Sequence, residues 1–420
     1  MSTYTKFTNC NLIDNGKVYK STDLYINNQT KKIAHPPHNK KLITNTIDLQ
    51  GNYLAPGFLD IQNNGIYGLN YSNLNENSNE NDIRMFKSFY NDAMQKYLTT
   101  GVTGVCPTVT SNFPAVYKKV LPFYKKSRLS NQSDSLGAHL EGPFISLKKK
   151  GCHPTETFVD AQTSDLFEVY GGEENIIENV CIITAAPEIP GVLETIPHLI
   201  EKGIIFSIGH TMSDYQTGVK AVQNGASMIT HLYNAMPQPH HRDVGVIGLI
   251  NPPHELSIEA PYYGIICDGV HVAPSMANLA YKSNPEKCIL VTDAMHLIGL
   301  PNGTYKWDQQ TIIKDNDRLY LQGTDTLAGA ATTLPQCIRN LVQWSNITLA
   351  EAVKTVTNNP SISIGLENER GFLNAGCDAD LVVLDKDGYV QKVYKLGNEI
   401  ESSDVVTQTI VNNEKLLASL

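Results

Sequence analysis

From Phe58 onward the chain carries eight short apolar runs, most of them separated by segments of helix length. They are FLDIQ (58–62), GVCPTV (104–109), LGAHLE (136–141), CIITAAPE (181–188), IIFSIGH (204–210), SMITHL (227–232), YGIICD (263–268) and CILVTD (288–293). Near-continuous apolar runs suit strands buried on both faces, the condition of a parallel sheet covered by crossover helices. Eight such β–α units are the arithmetic of a closed (β/α)8 TIM barrel. Chemistry on that scaffold sits at the C-terminal strand ends. Four of the runs close on or beside residues of catalytic type: Glu141, His210, His231 and Asp293.

The flanks read differently. Residues 1–55 are rich in Thr, Tyr, Val and Ile and are broken by Asn-Gly and Pro-Pro, the pattern of short antiparallel strands and turns. From Gly365 strand character returns, with DADLVVLD (378–385) the clearest run. The expected α/β architecture is a TIM barrel over 56–362 and a small β-sandwich domain built from 1–55 and 363–420. Within the barrel, a helix is expected from a Ser213 N-cap to a Gly225 stop. Another opens with Pro274 in its first turn. LAEAVKTVTNN should end as a helix before Pro360. Residues 303–323 read as an inserted hairpin, and the Asn-rich stretch 70–82 as a surface loop.

Length and charge narrow the function classes. A chain of 420 residues is too long for one ordinary core but fits a barrel plus a smaller unit. A formal net charge of -9 argues against nucleic acid or a membrane surface as the main partner. A local basic patch can still receive an anionic small substrate. The first residues, MSTYTKFTNCNLIDNG, lack the basic-then-apolar order of a signal peptide. No apolar run approaches the roughly 20 residues that span a bilayer. The eight cysteines are scattered, with no CxxC pair, which predicts a reduced, cytoplasmic protein.

One carboxylate and two imidazoles, Glu141, His210 and His231, form a recurring ligand set for a catalytic divalent metal that keeps a position open for water. In a barrel the ends of strands three, five and six converge on one mouth. Zinc suits these ligands, and iron, cobalt and manganese also accept them. Asp293 reads as general base and then general acid, against the alternative of a helix N-cap. The run NAMPQPHHRD (234–243) follows strand six; Arg242 there is either a fork for a phosphate or part of a solvated loop. His271, after CDG, is either a donor to a carbonyl oxygen or a satisfied loop histidine. His139 shares the inward face of Glu141 and reads as support or core. Binuclear barrel hydrolases carry His-x-His at strand one and a bridging lysine or glutamate at strand four. Here strand one ends Asp60-Ile61-Gln62, without the His-x-His pair, and strand four ends Ala186-Pro187-Glu188, with no lysine, so one metal is expected.

With those residues in place, the chain closely resembles the N-acetylglucosamine-6-phosphate deacetylases of the amidohydrolase superfamily, from about Tyr53 to about Asp385. The segments that carry the resemblance are LAPGFLDIQNNG, HLEGPFIS, SIGHT, THLYNAMPQPHHRDVGVIG, CDGVH, LVTDA, TLAGA and GFLNAGCDADLVVLD. The resemblance implies metal ligation by Glu141, His210 and His231, and acid/base catalysis by Asp293 with His271 on the oxyanion. It also implies substrate contacts from Cys152, His153, Asn234, Ala235, Arg242, His271, Leu327, Ala328 and Gly329. It suggests a homodimer, with the partner's loop completing the phosphate site. Four residues depart from the family pattern: Cys152, where alanine is common, Asn63, where an aliphatic residue is common, and the pair Met295-His296. The expected reaction is hydrolysis of the acetamide of N-acetyl-D-glucosamine 6-phosphate. Two other readings are weaker. A cyclic amidase or base deaminase would want the missing His-x-His and lysine, and an inactive assembly barrel would not need intact ligands and Asp293.

Overall fold

The computed structural model describes residues 2–307 and 310–401. Eight strands form the barrel: β1 (Phe58–Asn63), β2 (Val102–Thr110), β3 (Ala138–Glu141), β4 (Val180–Ala185), β5 (Ile205–Ile208), β6 (Met228–Ile229), β7 (Tyr262–Ile266) and β8 (Cys288–Val291). Each pairs in parallel with the next. The ring closes at its upper rim, where Asp293 N donates to Gln62 O at 2.9 Å and Asn63 bridges Ala294. At the lower rim, Leu59 N and Leu290 N donate to Val356 O and Thr355 O, so that segment is wedged between β1 and β8.

Alternation along the strands sorts the core. Leu59, Ile61, Cys106, Ile182, Ile266, Ile289 and Val291 fill the barrel interior. Phe58, Val105, Leu140, Ile183, Phe206, Ile208, Ile229, Ile265 and Leu290 face the surrounding helices. This period of two is the pleat of a strand. It turns Glu141 inward, because Leu140 faces out, and it keeps Asp293 on the inward parity of Val291.

The terminal segments make two further sheets. Tyr4–Thr8, Leu24–Asn27, Lys32–Ala34 and Ile43–Asp48 form one. Asn11–Asp14, Lys17–Tyr19, Tyr53–Pro56, Leu381–Leu384, Val390–Lys395 and Asn398–Ile400 form the other. Leu381–Leu384 pairs antiparallel with Tyr53–Pro56, so N- and C-terminal segments share one sheet. Phe7, Leu24 and Ile26 pack against Leu54, Leu381, Val383 and Tyr394 as the core of a β-sandwich. A buried ion cluster fastens the sandwich to the barrel. Fully buried Lys395 reaches Asp380 at 2.5 Å and Asp134 at 2.7 Å, and Arg370 reaches the same Asp134 oxygen at 3.0 Å.

Several expectations are corrected. The strands stop earlier than the apolar runs: β5 ends at Ile208, β6 at Ile229, β8 at Val291 and β4 at Ala185. The helix Tyr215–Gln223 is capped by Asp214, whose carboxylate accepts from Thr217 N, while Ser213 bonds to Glu188 instead. The helix Leu349–Lys354 does end before Pro360, but earlier than expected, and Pro360 lies in the first turn of a further short helix, Asn358–Ser363, where no backbone N–H is needed. Residues 303–323 hold three strands (Gly303–Trp307, Gln310–Asp315 and Arg318–Leu321) rather than a two-stranded hairpin. The Asn-rich stretch gives way to a helix at Glu80, which Asn79 and Asp82 close with a capping box. Residues 402–420 of the expected second sandwich segment lie outside the described residues.

Candidate active site

Glu141, His210 and His231 meet at the barrel mouth, each at most 5% exposed. Glu141 Oε1 lies 3.2 Å from His210 Nε2 and 3.0 Å from His231 Nε2, and the two nitrogens are 3.1 Å apart. How the two histidines get there is a backbone effect. Ile208 and Ile229 face the helices, so two residues on, plain alternation would send His210 and His231 outward as well. Both instead take left-handed backbone, with φ of 48° and 25°, which turns the side chains into the mouth. Non-glycine residues hold such conformations only where surrounding structure over-determines them, and such strain clusters at functional sites.

The triad suits a divalent metal. His210 Nδ1 sits 2.8 Å from Lys149 O, which can only accept, so Nδ1 carries a proton and Nε2 is the nitrogen left to face Glu141 and a metal. Three ligand atoms 3.0–3.2 Å apart approach the edge of about 3.3 Å of a tetrahedron with metal bonds of about 2.0–2.1 Å. Burial opposes charge on Glu141, yet hydrogen bonds from His210 and His231 hold its carboxyl well below the usual range. It is therefore an anion ready to ligate. These three side chains are the one group among the described residues whose donor atoms converge in this way.

Asp293 stands beside the triad, also with left-handed backbone (φ 46°). Asn64 Nδ2 donates to its Oδ1 at 2.7 Å and Gln62 Nε2 at 3.4 Å, and Gln62 also donates to Glu141 Oε1 at 3.0 Å. Burial first, and the charge of Glu141 second, push its carboxyl up to about 6. Both amides hold Oδ1, which leaves Oδ2 for proton transfer. Gln62 and Asn64 are the site residues to which sequence reasoning gave no role. Gln62 entered as part of a strand-one motif that lacks His-x-His. A bulge in β1, where Asp60 and Asn63 oppose Val105 and Pro107, resets the alternation so that both amides point inward.

The cavity at this mouth is lined by Cys152, His153, Asn234, Ala235, His271, Leu327 and Gly329 of the expected contacts, together with Asn64, Ile266, Met295 and Trp307. His271 Nδ1 is 2.7 Å from Asp268 Oδ2, while Asp268 Oδ1 accepts from Val270 N and His271 N, so ring and loop are fixed together. His153 Nδ1 is 2.7 Å from Ser111 Oγ, and burial together with His210 pushes its pKa down to about 3, so the ring is neutral. Burial holds the Cys152 thiol up at about 12, which leaves it protonated and inert. Asn234 Nδ2 is buried with no partner, a donor waiting in a cavity wall. Gly329 (φ 62°) allows its segment to lie against Met295, where a Cβ would come within 2.5 Å of the Met295 side chain.

Two expected contacts lie elsewhere. Ala328 is buried under the inserted sheet, with its N–H on Leu319 O. Arg242 is exposed, donates to His241 Nε2 at 2.8 Å and does not line the cavity. His139 is a satisfied core residue between Ile61 O and Thr184 Oγ1. Asn63 turns away from the cavity and ties Asp60, Tyr97 and Thr292 together. Of the pair after Asp293, Met295 lines the cavity and His296 does not.

The amidohydrolase family model matches residues 53–414. The zebrafish (Danio rerio) N-acetylglucosamine-6-phosphate deacetylase is 36% identical over 94% of this chain and 96% of its own length. The human enzyme of the same name is 35% identical over 96% and 97%. The chain belongs to the N-acetylglucosamine-6-phosphate deacetylases of the amidohydrolase family. The crystal structure of the Pasteurella multocida deacetylase matches this family member with a TM-score of 0.80 at 29% identity, covering 94% of this chain and 99% of that one. Its barrel and terminal sheets are thus those of a deacetylase.

Proposed function

We infer that the protein hydrolyses N-acetyl-D-glucosamine 6-phosphate to D-glucosamine 6-phosphate and acetate, a step of amino-sugar breakdown. The observation that carries this is the joining of a buried Glu-His-His triad and a raised carboxyl, Asp293, at one barrel mouth of a deacetylase-family chain. We propose that Glu141, His210 and His231 hold one divalent metal per subunit, zinc before iron, cobalt or manganese. Such an ion supplies Lewis-acid polarisation and an acidified water.

The chain's own groups do the rest. Asp293 takes a proton from the attacking water at Oδ2 and returns it to the amine that leaves. Asn64 and Gln62 keep its other oxygen fixed through the transfer. His271, held by Asp268, donates to the oxygen that gains charge as the carbonyl becomes tetrahedral. Asn234 Nδ2 supplies a sugar or phosphate hydrogen bond. Trp307 and Met295 cover the cavity and limit water. Arg242, exposed and away from its own cavity, fits a phosphate grip on a neighbouring subunit, which makes the working form a homodimer. We place the enzyme in the cytoplasm. No described helix is long and apolar enough to cross a membrane.

The test is acetate release from phosphorylated and unphosphorylated N-acetylglucosamine by wild type and Arg242→Ala. Wild type should strongly prefer the 6-phosphate. Arg242→Ala should lose about 1.5–3 kcal/mol in kcat/KM on it, the range for a hydrogen bond to a charged group. The free sugar should lose much less. Equal proportional losses would remove Arg242 from the phosphate site.

A further inference from the structure

We propose that Glu188 is a positioning residue that braces the metal ligand His210 and the substrate-facing turn at Asn234–Ala235; the inference rests on the metal-site reading above. Glu188 follows β4 by three residues, at the rim of the barrel mouth. It accepts from Thr211 Oγ1 at 2.5 Å, Met212 N at 2.5 Å and Ser213 Oγ at 2.8 Å, the three residues that directly follow His210. Both oxygens are thereby engaged.

The consequence is mechanical. Ser213 N folds back onto Thr211 Oγ1 at 2.9 Å, and Thr211 N donates to Ala235 O at 3.1 Å. One carboxylate therefore ties the end of β4 to the turn after His210, and Thr211 in that turn is bonded in series to the turn at Ala235. Each turn contains a non-glycine residue with left-handed backbone, His210 at φ 48° and Ala235 at φ 51°. His210 is held on its other sides by Lys149 O at the ring and by Ser146 N at its carbonyl. Glu188 is the brace on the C-terminal side. Thr211 and Ser213 are buried, so removing the carboxylate would strand their hydroxyls and free the turn to relax. Removing a residue that orients a metal ligand typically weakens metal affinity 10- to 100-fold.

The experiment measures Zn²⁺ affinity of the apoprotein by chelator competition, beside its metal-free Tm, for wild type, Glu188→Ala, Glu188→Gln and His210→Ala. Glu188→Ala should bind Zn²⁺ at least tenfold more weakly. Glu188→Gln should stay within about threefold of wild type, because an amide can accept from Met212 N and donate to the two hydroxyls. Unchanged affinity in Glu188→Ala, even with a lowered Tm, would overturn the proposal. An equal loss in Glu188→Gln would also overturn it, because charge and not the hydrogen-bonded brace would then matter. If Glu188→Ala does not fold, Thr211→Val removes one strand of the brace and should weaken Zn²⁺ binding at least threefold; no change there would overturn it. At saturating Zn²⁺, Glu188→Ala should raise KM for N-acetylglucosamine 6-phosphate at least threefold, and an unchanged KM would overturn the Ala235 half. His210→Ala separates the two levels: if it kept full affinity, the metal-site reading itself would fall.

Discussion

In the proposed mechanism Asp293 is a single side chain set for two proton transfers. Burial and the Glu141 anion raise its carboxyl to about 6, while the amide of Asn64 pulls the other way. A general base must be ionised, so kcat/KM should fall tenfold per pH unit below that pKa. A bound dication opposes protonation and moves the fall to lower pH. The acid limb of the loaded enzyme should therefore lie at or below about pH 6, and a limb centred above 7 would exclude Asp293 as its source. Asn64→Ala removes a hydrogen bond to the charged form, so its acid limb should shift to higher pH; a shift the other way would remove Asn64 from the assignment. Asp293→Asn should keep metal content and fold but lower kcat by at least ~10²-fold, read by steady-state acetate release beside metal analysis. The roles proposed for Asp293, His210 and Glu141 were legible as strand-end chemistry. The parts played by Gln62 and Asn64 were not, because an amide carries no catalytic signature and their inward direction depends on a bulge that pairing alone reveals.

Among the elements, the strands were readable and the turns after them were not. Apolar runs marked β1 to β8 in order, since strands buried on both faces must be apolar. The runs overshot at β5, β6 and β8 because His210, His231 and Asp293 follow those strands in left-handed backbone. Alternation predicts an outward His210 and His231, and only the left-handed turns correct it. The insertion at 303–321 was legible as strands but not as a wall of the cavity. Its Trp307 packs with Met295, Leu297, Ile312 and Leu319 in a cluster separate from the barrel core. Trp307→Ala should therefore raise KM several-fold while the unfolding midpoint of the barrel moves little. An unchanged KM on the phosphorylated sugar would remove Trp307 from the substrate wall.

Over the whole molecule, the barrel and the sandwich are joined by charge in a dry place. Lys395 is fully buried between Asp380 and Asp134, and Arg370 shares Asp134. Removing one partner of such a cluster leaves uncompensated buried charge, at a cost of about 3–5 kcal/mol. Lys395→Met should lose that much in urea unfolding, although Lys395 does not line the active-site cavity and its loss should leave acetate release per folded enzyme near normal. A loss under 1 kcal/mol would mean that water already screens the cluster. None of this joint was visible in sequence, since Asp134 lies within the barrel segment and Lys395 follows it 261 residues later.

The central claim, one metal and one carboxyl acting on an acetamide, is tested most directly by titrating metal-free enzyme with Zn²⁺ while following acetate release from N-acetylglucosamine 6-phosphate. Activity should rise linearly and level off at one equivalent per subunit in wild type, and should stay near background in His231→Ala. A plateau at two equivalents, or no acetate at any loading, would contradict it.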